Sequence, residues 1–294
     1  KMDLDTFDVI RFADTGESSD GSVFFPEYKR ILFFSLFLAF WIAFTVALFF
    51  DYLDPTIKSI ERAEFLLGTS ILTAIPHQRS LLALLLPKSC FRGEKQAIRH
   101  ILSWLKKEER VAPCVIGITA SRFGEGVTRT TTLLVERLAN MGEKVLYVEA
   151  NATYPRVKKN FKCKPTYGLT DLFSGQASFA ETAVWINPHL AVLATPVKKK
   201  EFFYLAGNLP DQLRATLPIT DPFHWIILDL PPVSKDAAVV DVLGQCDAVL
   251  FQLALMKVTT RKLSNCFQQL RDQGNLLQRT IVVANKHKPF WFFS

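Results

Sequence analysis

The most apolar segment of the chain is a run of twenty residues, 31–50, that carries no charged side chain. Its large apolar side chains cover every face of a helix, and at about 1.5 Å per residue such a helix crosses a hydrocarbon core of about 30 Å. A buried helix of a soluble protein is the alternative, but it normally keeps a polar face. A cleaved signal peptide fits less well, because the segment is longer than a signal core and no small-residue cleavage site follows. The pattern therefore favours a transmembrane helix.

A different pattern begins near residue 94, where short apolar runs alternate with segments of helical spacing. Runs that are apolar at nearly every position are typical of parallel strands covered by helices on both faces. The pattern predicts strands at 114–119, 144–148, 190–194, 225–229, 248–253 and 280–284. It predicts helices at 94–105, 128–140, 205–216, 236–244 and 259–273. The predicted fold class is α/β, a mostly parallel sheet with helices on both faces, preceded by one transmembrane helix.

The segments on either side of the apolar run complete the predicted organisation. Residues 1–30 are polar and acidic and are interpreted as an extracytoplasmic tail. Residues 51–93 are interpreted as a juxtamembrane linker, which contains a short helix ended by Gly68 and a strand ending at Pro76. Residues 94–294 form the predicted cytoplasmic domain.

Charge and cysteine content agree with this orientation. The chain has 35 Lys and Arg against 28 Asp and Glu, and the excess of bases lies after the apolar run. A basic body beside a membrane favours the cytoplasmic side, where anionic lipids attract it. The five cysteines form no C-x-x-C pair, which indicates reduced thiols rather than a zinc site or a disulfide framework. Nucleic-acid binding is disfavoured, because the domain is tethered to a membrane and the chain has no reader motif.

The chemistry of the domain is concentrated just after the predicted strand at 114–119. The sequence Gly124-Glu125-Gly126-Val127-Thr128 follows this strand and opens the next helix. A strand, a glycine turn and a helix N-terminus direct several backbone N–H groups at one anion, which is the geometry of a phosphate-binding loop. The motif G-x-x-x-x-G-K-[ST] requires lysine before the hydroxyl residue, where this chain has Val127.

Polar residues also end two other predicted strands. Glu149 and Asn151 follow one of them, and Asp229 ends another. Ligands of such sheets bind beyond the carboxyl ends of the strands, so these side chains are expected near the loop. A loop hydroxyl together with carboxylates on neighbouring strand ends is what Mg²⁺ bridging two phosphates needs. Thr128, Asp229 and Glu149 are therefore the candidate metal ligands.

These three stretches, in this order and after a membrane span, resemble the bacterial tyrosine kinases fused to Wzz-type polysaccharide co-polymerases. The similarity runs from about residue 25 to about residue 285. The cytoplasmic domain of that family is a P-loop ATPase related to the MinD and ParA group. Its motifs are a loop ending G-K-[ST], then I-D-x-D-x-R-x-P, then I-D-x-P-P. The resemblance implies ATP or ADP with Mg²⁺ as ligands, and it implies these nucleotide-binding residues: Arg122, Gly124, Glu125, Gly126, Val127, Thr128 and Asn285.

Compared residue by residue, the match supports the fold better than catalysis. Val127 replaces the lysine, and Glu149 and Asn151 stand where the family has two aspartates. Losing a charge that stabilises the transferring phosphoryl group costs about 3–4 kcal/mol, or roughly 10²–10³ in rate. Arg122, five positions before Val127, is the candidate replacement cation, and a solvated loop residue is the alternative reading of it. We therefore expect any nucleotide to bind weakly.

The resemblance implies an inner-membrane component of exopolysaccharide biosynthesis and export with a degenerate, non-catalytic kinase-like domain. Its expected role is assembly and partner binding, in a homo- or hetero-oligomer with co-polymerase, polymerase or export proteins. The family's kinases carry a C-terminal tyrosine cluster as phosphate acceptor, whereas the last tyrosine here is Tyr204. The alternative is an active ATP-dependent tyrosine kinase with Glu149 and Asp229 as catalytic groups. A third hypothesis is a nucleotide-dependent switch that oligomerises without turnover.

Overall fold

The computed structural model describes residues 28–76, 90–107, 112–153, 155–195, 208–217, 222–235 and 238–287. The chain divides into two compact units, with the second beginning at Pro55. Most of the predicted acidic tail, Tyr204 and the residues after 287 lie outside the described ranges, and so do the first residues of the predicted helix at 205–216.

The described part of the first unit, residues 28–54, contains the helix α1 over Tyr28–Leu53. None of its 26 residues is buried, and it is long and apolar enough to cross a membrane. Two hydroxyl side chains within it donate to carbonyls of their own helix, Ser35 to Leu32 at 2.9 Å and Thr45 to Trp41 at 2.8 Å. Such internal pairing leaves neither hydroxyl in need of water, which suits a helix in lipid.

The second unit is built on one eight-stranded sheet. Its strands are β1 Ile71–Pro76, β2 Cys114–Ala120, β3 Val145–Glu149, β4 Val184–Asn187, β5 Leu190–Leu193, β6 Trp225–Asp229, β7 Ala248–Ala254 and β8 Thr280–His287. Its helices are α2 Ile60–Leu67, α3 Cys90–Lys107, α4 Val127–Ala139, α5 Val157–Asn160, α6 Leu169–Phe173, α7 Phe179–Thr182, α8 Leu209–Thr216, α9 Ala238–Gly244 and α10 Thr260–Asp272. Short 3₁₀ turns cover Val233–Lys235 and Gly274–Arg279.

The strand order is β1-β8-β7-β2-β6-β3-β5-β4, and every neighbouring pair is parallel except β4 with β5. The predicted fold class is confirmed. The antiparallel edge strand β4 was not predicted, because it is four residues long and its apolar run covers only three of them. The central strands β2, β6 and β3 are buried along their whole length, as strands covered on both faces must be.

The folded domain begins earlier than the boundary predicted at residue 94. Strand β1 pairs in parallel with β8, with Ala74 opposite Ala284. Helix α2 buries Ala63 and Leu67 in the core of the second unit, and Gly68 ends the helix in a left-handed conformation at φ 67°. Residues 55–76 are therefore part of the domain rather than of a linker. The sequence pattern predicts the helix and the strand, but it contains no signal that pairs β1 with a strand more than 200 residues away.

Two apolar clusters hold helices on the two faces of the sheet. One packs α2, α8, α9 and α10 against the strands, with Leu213, Leu243 and Phe267 among its members. The other packs α3 and α4, with Ile101 and Leu138 fully buried. Helices therefore cover both faces of the sheet. Polar side chains can lie together at the edge formed by the carboxyl ends of the parallel strands.

Candidate functional site

The predicted phosphate-binding loop connects β2 to α4. Gly124 and Gly126 both have left-handed backbone, at φ 82° and φ 99°. At Gly126 a Cβ atom would also lie 2.3 Å from Nδ2 of Asn285, so no larger residue fits without displacing that side chain. Helix α4 begins directly after Gly126, which leaves the N–H groups of its first turn facing the end of the loop. The loop therefore has the backbone shape that binds an anion.

Two residues predicted at the nucleotide have structural partners instead. Glu125 is fully buried, and its carboxylate accepts hydrogen bonds from the backbone N–H of Ser121 at 3.1 Å and from its hydroxyl at 2.6 Å. Asn285 donates from Nδ2 to the backbone carbonyl of Glu125 at 2.6 Å. Both side chains hold the loop in shape, and the carboxylate of Glu125 is directed into the loop itself.

Val127 is the first residue of α4. Its half-buried side chain packs against the apolar cluster beneath α4 and also lines the cleft above it. Arg122, the candidate replacement cation, is exposed, and its guanidinium donates to the carbonyl of Lys257 at 2.9 Å. The structure therefore places an aliphatic group at the lysine position and ties the predicted substitute to a neighbouring loop.

The loop opens into a cleft of about 580 Å³, which is within the usual size range of small-molecule sites. The cleft is lined by the loop and α4, by the segment after β3 and by residues that follow β6. The residues that line it are Arg122, Phe123, Gly124, Gly126, Val127, Thr128, Arg129, Thr132, Leu133, Asn151, Arg156, Asn160, Leu230 and Pro232. Three of these described residues are arginines and none is acidic, so the cleft suits an anion.

Asp229 lies at the end of β6, almost fully buried, directly opposite Ile118 of β2 and Glu149 of β3 in the sheet. Burial raises the pKa of its carboxyl to about 7, against the opposing effect of the hydroxyls of Tyr147 and Thr128. Tyr147 donates to Oδ2 at 2.8 Å, and Oδ1 has no hydrogen-bond partner among the described residues. One oxygen of this carboxyl is therefore buried without a hydrogen-bond partner among the described residues.

Glu149 ends β3 and is also buried, but unlike Asp229 it has backbone N–H groups as the hydrogen-bond partners of its carboxylate. Oε1 accepts from the backbone N–H groups of Arg156 and, at 2.8 Å, of Val157, while Oε2 accepts from the N–H of Thr195 at 3.3 Å. Burial raises its pKa, and these backbone N–H groups oppose that rise. A metal bound at Glu149 would have to compete with three amides.

Asn151 lines the cleft as predicted, and its amide oxygen also accepts from the N–H of Thr153 at 3.3 Å. The structure brings Thr128, Asp229 and Asn151 to one edge of the sheet, as the strand-end argument required. It shows further site residues that the sequence analysis missed, namely Tyr147 and Arg156. The signal for Arg156 was its place just beyond the carboxyl end of β3, the same criterion that selected Glu149.

The described residues fit the ligands implied by the resemblance only in part. Thr128 and the unpaired Oδ1 of Asp229 suit a divalent cation, which prefers oxygen ligands. Among the residues that the structure describes, no group of three or more His, Cys, Asp or Glu side chains is arranged to hold a metal ion. The backbone of the loop fits phosphate, and the side chain at position 127 contributes no charge to it.

Comparison with curated proteins finds tyrosine kinases, while no family model matches the chain. The chain is 26% identical over 193 residues to the tyrosine-protein kinase CpsD of Streptococcus agalactiae, covering 61% of this chain and 76% of that protein. It is 26% identical over 158 residues to the tyrosine-protein kinase YwqD of Bacillus subtilis, covering 53% of this chain and 65% of that protein.

Solved structures give the same result for the fold. The chimerical protein CapA2B2 superposes with a TM-score of 0.61 at 21% identity, covering 78% of this chain and 99% of that one. The kinase domain of the Escherichia coli tyrosine kinase ETK superposes with a TM-score of 0.60 at 17% identity, covering 77% of this chain and 92% of that one. At these identities the structural likeness establishes the fold and leaves the chemistry to be argued from the site.

Proposed function

We propose that this chain is a non-catalytic or nearly non-catalytic relative of the bacterial tyrosine kinases. The premise is that its second unit is a P-loop domain like those of these kinases. The role of the chain is that of an assembly and partner-binding module in exopolysaccharide biosynthesis and export. In this proposal α1 anchors the chain in the bacterial inner membrane, with the P-loop domain on the cytoplasmic side.

Val127 is the observation that carries the proposal. In phosphoryl transfer, a lysine at this position neutralises charge on the outer phosphates, and most of the catalysis comes from such preorganised charge. Here the side chain packs against the apolar cluster beneath α4. A phosphate brought against it would lose water without gaining a hydrogen bond, which is unfavourable. The loop can bind an anion through its backbone, but it lacks the charge that would stabilise the transition state.

The end of β3 supports the same conclusion. Glu149 holds three backbone N–H groups, and Asn151 is an amide, which can neither neutralise a cation nor act as a general base. In place of the two aspartates that the resemblance implies after β3, this chain has a carboxylate bound by its own backbone and an amide, which leaves Asp229 at the end of β6 as the remaining acid of the implied set. A domain that keeps the fold and loses these charges is suited to binding and assembly, with co-polymerase, polymerase or export proteins or with further copies of itself as the partners.

The proposal is tested by phosphoryl transfer in the full chain, purified in detergent micelles. The protein is incubated with radioactive ATP and Mg²⁺, and label on protein is compared with that of Asp229→Ala. We expect no label in the unmodified chain above the level of the variant. Labelling of tyrosine that Asp229→Ala abolishes would contradict the proposal.

One observation favours the second candidate, an active kinase with an atypical loop. Asp229 keeps its place beside Thr128, with Oδ1 unpaired among the described residues and a pKa of about 7. A carboxyl in that state can accept either a proton or a cation near neutral pH, as a catalytic group must. The labelling experiment decides between the two candidates, because only this one predicts transfer that depends on Asp229.

A further inference from the structure

The three arginines that line the cleft differ in what their side chains already bind. Arg122 donates to the carbonyl of Lys257 at 2.9 Å. Arg129 forms a two-point ion pair with the nearly buried Glu94, at 2.8 Å and 3.1 Å. Within the part of the chain that the structure describes, the guanidinium of Arg156 has neither a hydrogen bond nor an ion pair. It is therefore the cation in this cleft that can bind a ligand without breaking an existing contact.

We propose that Arg156 is the cation that binds the phosphates of a nucleoside di- or triphosphate in this cleft, in place of the lysine that Val127 replaces. The proposal rests on the proposed function in one respect, that this cleft binds nucleotide without efficient transfer. It assigns the binding charge to the segment after β3, which lines the same cleft as the loop.

The backbone on both sides of Arg156 is fixed. Its own N–H and that of Val157 are both bound by Oε1 of Glu149. Val157 is 1% exposed and packs in the apolar cluster beneath α4. The amide of Asn160 donates to the hydroxyl of Thr132 at 3.2 Å, which joins α5 to α4. Glu149 is thus a positioning residue, because it orders the turn that carries the arginine.

The charges around the cleft agree with this assignment. Arg156 is one of the groups that oppose the rise in the pKa of Asp229, so its charge lies within electrostatic reach of the end of β6. An anion in the cleft would meet both the backbone N–H groups of the loop and the guanidinium of Arg156, because both line it. Guanidinium binds phosphate through two parallel hydrogen bonds, which makes arginine effective at this task.

The position of the charge agrees with the proposed function. A lysine in the loop would lie beside the outer phosphates, whereas Arg156 is held by a separate turn after β3. On the proposed function, this cation lowers the free energy of the bound nucleotide without a further stabilisation of the transition state. Only stabilisation that is greater in the transition state than in the ground state accelerates a reaction.

The test measures ADP affinity of the full chain in detergent micelles by calorimetry, with no turnover required. Lys159→Ala is the matched control, since Lys159 is an exposed cation of the same segment that does not line the cleft. We expect Arg156→Ala to weaken ADP binding by about tenfold or more, because a hydrogen bond to a charged group is lost. Arg156→Lys should recover part of the affinity, and Lys159→Ala should change it by less than about twofold.

Four results would overturn the assignment. Three are unchanged affinity in Arg156→Ala, an equal loss in Lys159→Ala, and no binding of ADP to the unmodified chain at millimolar concentration. The fourth is a loss confined to Arg122→Ala, which would return the role to the residue selected from sequence. Failure of the proposed function gives a different result. In that case tyrosine labelling depends on Asp229, whereas the loss of ADP affinity in Arg156→Ala can still be observed.

Discussion

The ends of β3 and β6 are neighbours in the sheet, yet they use their carboxyl groups in different ways. Glu149 and Asp229 are opposite each other in the register of the two parallel strands, and both are buried. Glu149 accepts three backbone N–H groups of its own chain. Asp229 accepts a hydrogen bond from the hydroxyl of Tyr147, and its Oδ1 has no hydrogen-bond partner among the described residues. The carboxylate of Glu149 maintains the fold, whereas that of Asp229 keeps one oxygen that the described residues do not use.

The difference shows that a position in a fold does not by itself define a role. Glu149 has one more methylene than the aspartate implied by the resemblance, and its carboxylate reaches the turn at Arg156 and Val157. The same turn carries Arg156, the residue to which we assign nucleotide binding. The acid at the end of β3 thus supports the turn that carries a cation of the same cleft.

The largest expected effect is on stability, from Glu149→Ala. The change leaves the N–H groups of Arg156, Val157 and Thr195 without their acceptor, and each buried unpaired group costs about 1–3 kcal/mol. We expect the free energy of unfolding to fall by roughly 3–6 kcal/mol, measured by denaturant unfolding of the full chain in micelles. The control is Glu181→Ala, which removes an exposed carboxylate that accepts from the N–H of Ser178 at 2.8 Å. Similar losses in the two variants would mean that Glu149 has no special structural role.

The next largest effect is on the pH dependence of the free energy of unfolding, and it comes from Asp229. The pKa of Asp229 is raised from 3.8 to about 7 by burial, so the folded chain binds this proton more tightly than the unfolded chain does. The free energy of unfolding should therefore decrease as pH rises from about 4 to about 7, by an amount on the order of a few kcal/mol from this residue. Above pH 7 the contribution is constant.

The check compares the unmodified chain with Asp229→Asn over this pH range. Asparagine keeps an acceptor for the hydroxyl of Tyr147 and does not titrate, so the variant should lose the part of the pH dependence that belongs to Asp229. The difference in unfolding free energy between the two proteins should change steadily between pH 4 and 7 and then level off. A difference that is the same at every pH would show that the carboxyl of Asp229 titrates normally.

The sequence predicted the sheet and the edge where the site lies, because both follow from local patterns. Apolar runs defined the central strands, and the glycines at 124 and 126 defined the loop. The sequence did not predict β4, the place of β1 beside β8, or the partners of Glu149, since each of these depends on contacts between distant segments. Arg156 was missed for a related reason. It belongs to no motif, and its position in the cleft depends on the turn that Glu149 holds.

The central claim concerns the charge missing from position 127, and Val127→Lys tests it most directly. A lysine at the first residue of α4 can keep its aliphatic stem over the apolar cluster while its ammonium reaches the cleft. Val127→Met is the matched control, with a similar length and no charge. The measurement is ADP affinity, and we predict a gain of about tenfold for the lysine variant, or about 1.4 kcal/mol, and no gain for methionine. An affinity of Val127→Lys equal to that of the unmodified chain, in a folded protein, would contradict the account.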